Sequence, residues 1–158
     1  MGESGVLGRV ARHGVRVFAL GLIAFCIASS VAAEDVPLAV HGQALIVEAT
    51  LNNRFTGNFL VDTGATYVVV SKEVARQAKV KGRTGGDKVQ LLTANGAVDA
   101  VLGEARKVEV GGTAARDVVV AVVDDEPAPG LAGVLGLSFL SQFTYTVDAE
   151  ASLLRLRR

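Results

Sequence analysis

The residues of this chain best suited to chemistry are Asp62, Thr63 and Gly64: an acid, a hydroxyl and a flexible turn residue in direct succession. They follow the apolar stretch Phe59-Leu60-Val61 and precede Ala65-Thr66. A carboxylate at the end of an apolar strand is hard to solvate, so the fold must supply hydrogen bonds or the acid must hold a proton. Either condition suits proton transfer to and from a reacting group. Gly64 lets the backbone turn sharply and aim its N–H back at the carboxylate. The plainer role for Asp62 is to cap a turn.

Few other residues compete for the chemistry. Cys26 is the single cysteine, which removes internal disulfides and cysteine-rich metal sites. His41 is the one histidine beyond the first 33 residues, too few for a histidine metal cluster. No Gly-x-Ser-x-Gly turn presents a serine nucleophile. Sixteen basic residues balance sixteen acidic ones, so the chain carries no electrostatic footprint for nucleic acid. Aromatics make up 5% and Trp is absent, which argues against base-stacking platforms. No metal and no cofactor are implied.

The elements that must position Asp62 read as β-structure. Gln43 to Leu51 and Arg54 to Val61 flank Asn52-Asn53 and predict a hairpin whose second strand delivers Asp62. Tyr67 to Val70 is a buried strand by composition. Ser71 is an N-cap for two helical turns over Lys72 to Ala78, with Glu73 favourably placed in the first. Lys79 to Asp87 reads as a loop. Lys88 to Thr93 and Ala97 to Leu102 flank Asn95-Gly96, the strongest hairpin signal in the chain, with a type I′ turn expected. Ala105 to Val110 and Ala115 to Val123 form a further hairpin around Gly111-Gly112. After an acidic loop, Gly133 to Phe143 holds a buried run and a short helix, and Tyr145–Val147 and Leu153–Leu156 make a last strand pair. With no βαβ alternation, the expectation is one all-β domain over residues 34–158.

Residues 1–33 read as an address. Arg9, Arg12 and Arg16 precede a twelve-residue apolar run from Val17 to Ala28, and Val31-Ala32-Ala33 supplies small residues before Glu34. That layout predicts a secretory signal peptide, since about 20 apolar residues are needed to span a membrane. The alternative is an uncleaved inner-membrane anchor over residues 17–33. Either way the expected location is extracytoplasmic, periplasmic or secreted. A cysteine-free domain suits that oxidising side.

The chain resembles the retropepsin-like aspartic proteases, especially their small secreted or membrane-tethered bacterial members. The residues that carry the likeness are Leu60 to Ala65, the hairpin Lys88 to Leu102, Val134-Leu135-Gly136-Leu137-Ser138-Phe139-Leu140, and the closing segment Phe143 to Leu156. The resemblance implies a closed β-barrel with a flap hairpin and one or two short helices. It implies Asp62, Thr63 and Gly64 as the catalytic group, and substrate contacts from Ala65, Val134 and the flap tip Thr93-Ala94-Asn95-Gly96. It also implies a protein or peptide substrate. The mechanism uses two aspartates, yet Asp-Thr/Ser-Gly occurs once, so a homodimer is expected to bring two copies of Asp62 together. By analogy with the family, Leu153 to Leu156 is the expected intersubunit edge. Two other readings stand beside this one. An Asp-x-Gly phosphate loop of the actin-like ATPase kind needs two large lobes, which the 125 residues after the leader cannot form. A non-catalytic barrel that binds extended peptide by edge pairing keeps the same fold.

Overall fold

Each hairpin signal returns as a strand pair in the computed structural model, which describes residues 33–83, 86–93 and 96–158. Residues 1–32, on which the expected signal peptide or anchor falls, and Ala94 and Asn95 of the expected flap tip lie outside those described. In chain order the elements are β1 (Glu34–Pro37), β2 (Ala39–His41), β3 (Ala44–Leu51), β4 (Phe55–Val61), β5 (Val68–Ser71), α1 (Lys72–Ala78), β6 (Lys81–Gly82) and β7 (Lys88–Thr93). They continue as β8 (Gly96–Val110), β9 (Thr113–Val123), β10 (Gly133–Leu135), α2 (Leu137–Leu140), β11 (Thr144–Asp148) and β12 (Leu153–Arg157).

The larger sheet runs β2-β3-β4-β10-β5-β9-β8-β6, with β7 paired to β8. β3 also pairs with β8, placing Ala49 opposite Val110 and Leu51 opposite Val108. That contact joins the two arms of the sheet and closes it into a barrel, the expected all-β fold with two short helices. Asn52 and Asn53 both take φ 54°, the left-handed turn that their side chains tolerate. Ser71 caps α1 as predicted, its Oγ accepting from Val74 N–H at 3.3 Å.

One arrangement matters most for the site. β4 and β5 follow each other in sequence but are not neighbours. β10 lies between them, parallel to β4 with Val134 opposite Leu60, and antiparallel to β5 with Val134 opposite Val69. Residues 62–67 therefore arch over the end of β10.

Burial explains the unbroken apolar runs. β5 is buried at every residue. Val68 and Val70 point into the barrel core with Phe59, Leu135 and Phe139, while Val69 joins a second apolar cluster on the other side. β9 divides in the same way, Val118 and Val120 toward the core and Ala121 and Val123 toward the second cluster. Strands covered on both faces lose the alternation that marks a half-exposed strand.

The structure departs from expectation at four places. The segments Ala97–Leu102 and Ala105–Val110 are one strand, β8, because its register with β9 runs unshifted from Val101↔Val122 to Val110↔Thr113. Lys81–Gly82, within the expected loop, forms the short β6 against Glu104 and Gly103. Glu34 to His41, given no element by sequence, forms β1 and β2. Glu34 is tied down when its carboxylate accepts from Gly112 N–H at 3.0 Å. Finally, β12 is not an open edge. It is the middle of a three-stranded sheet ordered β1-β12-β11, and Leu154 and Leu156 sit fully in the core. The open edges of that sheet belong to β1 and β11.

Candidate active site

Asp62 leaves the end of β4 half-buried, and the backbone around it is fixed before any partner is considered. Its N–H donates to Leu135 O at 3.2 Å, extending the β4–β10 ladder by one residue. Ala65 N–H returns to Asp62 O at 3.3 Å, closing a tight turn. Within that turn Gly64 N–H donates to Asp62 Oδ1 at 2.8 Å, the bond that the sequence anticipates for Gly64. Thr63 and Gly64 are exposed at the crest of the arch. The acid is thus held by its own loop and reachable from solvent.

The underside of the arch is closed by the chain that leaves β10. Leu137 N–H donates to Ala65 O at 2.8 Å, and Ser138 N–H donates to Thr66 O at 2.9 Å. Gly136 must pass directly beneath: a Cβ there would lie 2.2 Å from Tyr67 O and 2.6 Å from Ala65 O. Those are backbone atoms that cannot swing aside, so the glycine is a steric requirement of the arch.

The flap base meets the same region. Val89 lies opposite Ala100 and Leu91 opposite Val98 in the β7–β8 pair, so these residues share one face. Val89, Leu91, Ala100 and Leu102 join the second apolar cluster with Leu60, Ala65, Tyr67 and Val134. Two expected substrate residues, Ala65 and Val134, are therefore brought together. Val134 is buried within β10, with 8% of its surface exposed, so it floors this cluster rather than standing free. Sequence reasoning passed over Tyr67, Val89 and Leu91. The alternation in Lys88-Val89-Gln90-Leu91 carried the signal for the last two.

Thr93 and Gly96 stand at the far, exposed end of the hairpin. Their register differs from the expected turn. Thr93 pairs with Gly96, and Thr93 Oγ1 donates to Gly96 O at 2.8 Å, so the residues between them are Ala94 and Asn95. Gly96 has φ +111° and is the first paired residue of β8 rather than the second residue of a type I′ turn.

Two grooves of about 300 and 330 Å³ are lined by Val36, Glu48 and Glu109 and by Lys81, Arg83 and Glu104 respectively, away from the arch. The crest of the arch beside Asp62 is open to solvent at Thr63 and Gly64.

The gag-polyprotein family described as "gag-polyprotein putative aspartyl protease" has a model that matches residues 47–142, from β3 through α2. The chain belongs to the retropepsin-like aspartic protease family. A crystal structure of a retropepsin-like aspartic protease from Rickettsia conorii is similar, at 25% identity and TM-score 0.58, covering 80% of this chain and 92% of that one. No curated protein matches the chain in sequence. The family match spans the Asp62 arch, the flap and the chain beneath the arch of this retropepsin-like protein. It leaves β1, β2, β11 and β12 outside.

Proposed function

We propose that the chain is an extracytoplasmic aspartic endopeptidase that works as a homodimer. The observation that carries this reading is Asp62, a solvent-reachable acid oriented by Gly64 N–H in a chain with a single Asp-Thr-Gly. Hydrolysis of a peptide by water needs a base to take the water's proton and an acid to polarise the carbonyl. One carboxylate cannot do both at once. Two copies of Asp62 meeting on a two-fold axis supply both, because close like charges share a single proton. The ionised member takes the proton from water as its oxygen attacks the carbonyl carbon, and the protonated member donates to the carbonyl oxygen. Collapse of the tetrahedral intermediate breaks the C–N bond as a proton passes to the leaving nitrogen. These roles belong to the pair and not to either chain.

In such a dimer the hydroxyl of Thr63 links the two arches, a role its exposure supports. The flap closes over an extended peptide, and the apolar cluster at its base favours apolar side chains. The basic, apolar and small-residue order of residues 9–33 supports export, with the domain released to the periplasm or medium or held on the inner membrane by residues 17–33.

The test is cleavage-site profiling on a proteome-derived peptide library, wild type beside Asp62→Asn. Wild type is expected to cut, and Asp62→Asn to lose roughly 10²–10⁴-fold in rate. Equal cleavage by a folded Asp62→Asn protein would remove Asp62 from the mechanism. Peptide binding without cleavage by either would favour the non-catalytic barrel.

A further inference from the structure

Resting on the aspartic-protease reading, we propose that Ser138 is a positioning residue for Asp62: its hydroxyl pins the catalytic arch to the barrel wall. Ser138 Oγ accepts from Val68 N–H at 2.8 Å, at the foot where the arch becomes β5. The same hydroxyl donates to Val119 O of β9 at 2.7 Å. One side chain thus spans the end of the arch and the strand that pairs with the flap's long arm, Val119 lying opposite Glu104 of β8.

The other ties on the arch come from backbone or from the loop itself. Asp62 is held by Leu135 O and Gly64 N–H, Ala65 O by Leu137 N–H, and Thr66 O by Ser138 N–H. Among the described residues, Ser138 is the one residue outside residues 62–68 whose side chain hydrogen-bonds that segment. Its site is partly buried, so a lost hydroxyl leaves an N–H and a carbonyl with poor access to water. The cheapest relief is a shift of the arch foot, and the arch carries Asp62. A dyad tolerates little displacement, since a misplacement on the order of 1 Å can cost 10²-fold in rate. Ser138 does not touch substrate in this arrangement, so its loss falls on kcat more than on KM.

The test compares variants of the full chain on one peptide substrate, with rates scaled to the folded fraction from thermal melts. Ser138→Ala is expected to lower kcat about tenfold or more with KM within about twofold. Ser138→Thr, which keeps the hydroxyl, is expected to retain most of the activity. Asn52→Ala is the stability control. It removes bonds from Asn52 to Ala78 O and Lys107 N–H, far from the arch, and is expected to lower Tm while kcat per folded molecule stays at the wild-type value. Should Ser138→Ala fail to fold, Ser138→Cys, similar in size with a weak donor and acceptor, carries the same expectation. Wild-type kcat in the Ala or Cys variant, or an equal loss of kcat in Asn52→Ala, overturns the positioning role. Asp62→Asn separates the two levels. If it is inactive while Ser138→Ala is normal, only the role of Ser138 fails. If it is fully active, the aspartic-protease reading itself fails.

Discussion

The turn through Asp62, Thr63 and Gly64 was legible because its geometry is local: an apolar strand, an acid and a glycine whose N–H returns to the acid two residues back. What holds the arch from below was not legible, because Gly136 and Ser138 lie some seventy residues away and act through backbone approach and one hydroxyl. Gly136 gives the sharpest residue-scale prediction. Gly136→Ala forces a methyl against Tyr67 O and Ala65 O, and overpacking against rigid atoms costs at least about 1–3 kcal/mol. Urea denaturation is expected to show that loss together with a collapse of peptide cleavage. Unchanged stability and rate would mean that the arch is looser than these contacts require.

At the scale of elements, β3, β4, β9 and the last hairpin were readable from apolar, β-branched composition and turn residues. β1 was not, since two acids and Pro37 in a four-residue segment give no periodicity; it is a strand because β12 offers it an edge. The position of β10 was hidden for a related reason. Three residues inserted between β4 and β5 leave no sequence mark of their neighbours. The central place of β12 changes what truncation should do. Leu154 and Leu156 are buried in the core, and two such side chains contribute roughly 3–6 kcal/mol, comparable with the stability of a small domain. A chain ended at Ala151 is therefore expected to be unfolded by circular dichroism. A folded, inactive monomer would instead make β12 a dispensable edge.

The β11–β12 turn adds a pH dependence. Ala151 N–H donates to Asp148 Oδ1 at 2.8 Å and Arg155 Nη1 to Oδ2 at 2.8 Å, and these hold the Asp148 carboxyl below its usual value near 3.8, the backbone bond most of all. A depressed folded value means that the ionised acid stabilises the fold. The contribution is complete above the ordinary value and disappears as pH falls through the lower folded one. Asp148→Asn is thus expected to be less stable than wild type at pH 7, with the gap closing in strong acid. A gap that persists or widens there, in Tm measured against pH, would contradict the carboxylate's role.

At the scale of the whole molecule, the fold closes within one chain, whereas the proposed mechanism calls for a second Asp62. The barrel closes through β3 and β8, and the core needs no second copy, yet each chain brings one Asp62 to an open surface. In the three-stranded sheet the edges open to a second copy are those of β1 and β11. β1 is short, acidic and carries Pro37, features that discourage pairing, whereas Thr144-Tyr145-Thr146-Val147 of β11 is rich in strand-forming residues. The measurement that tests the account most directly is subunit mixing. Wild-type chain is held at fixed concentration and allowed to exchange with increasing Asp62→Asn chain while peptide cleavage is followed. If catalysis needs an Asp62 from each of two chains, random pairing with a ninefold excess leaves about one tenth of the activity per wild-type chain. Activity that stays constant through that excess would show that one chain cleaves alone, and the shared dyad would be wrong.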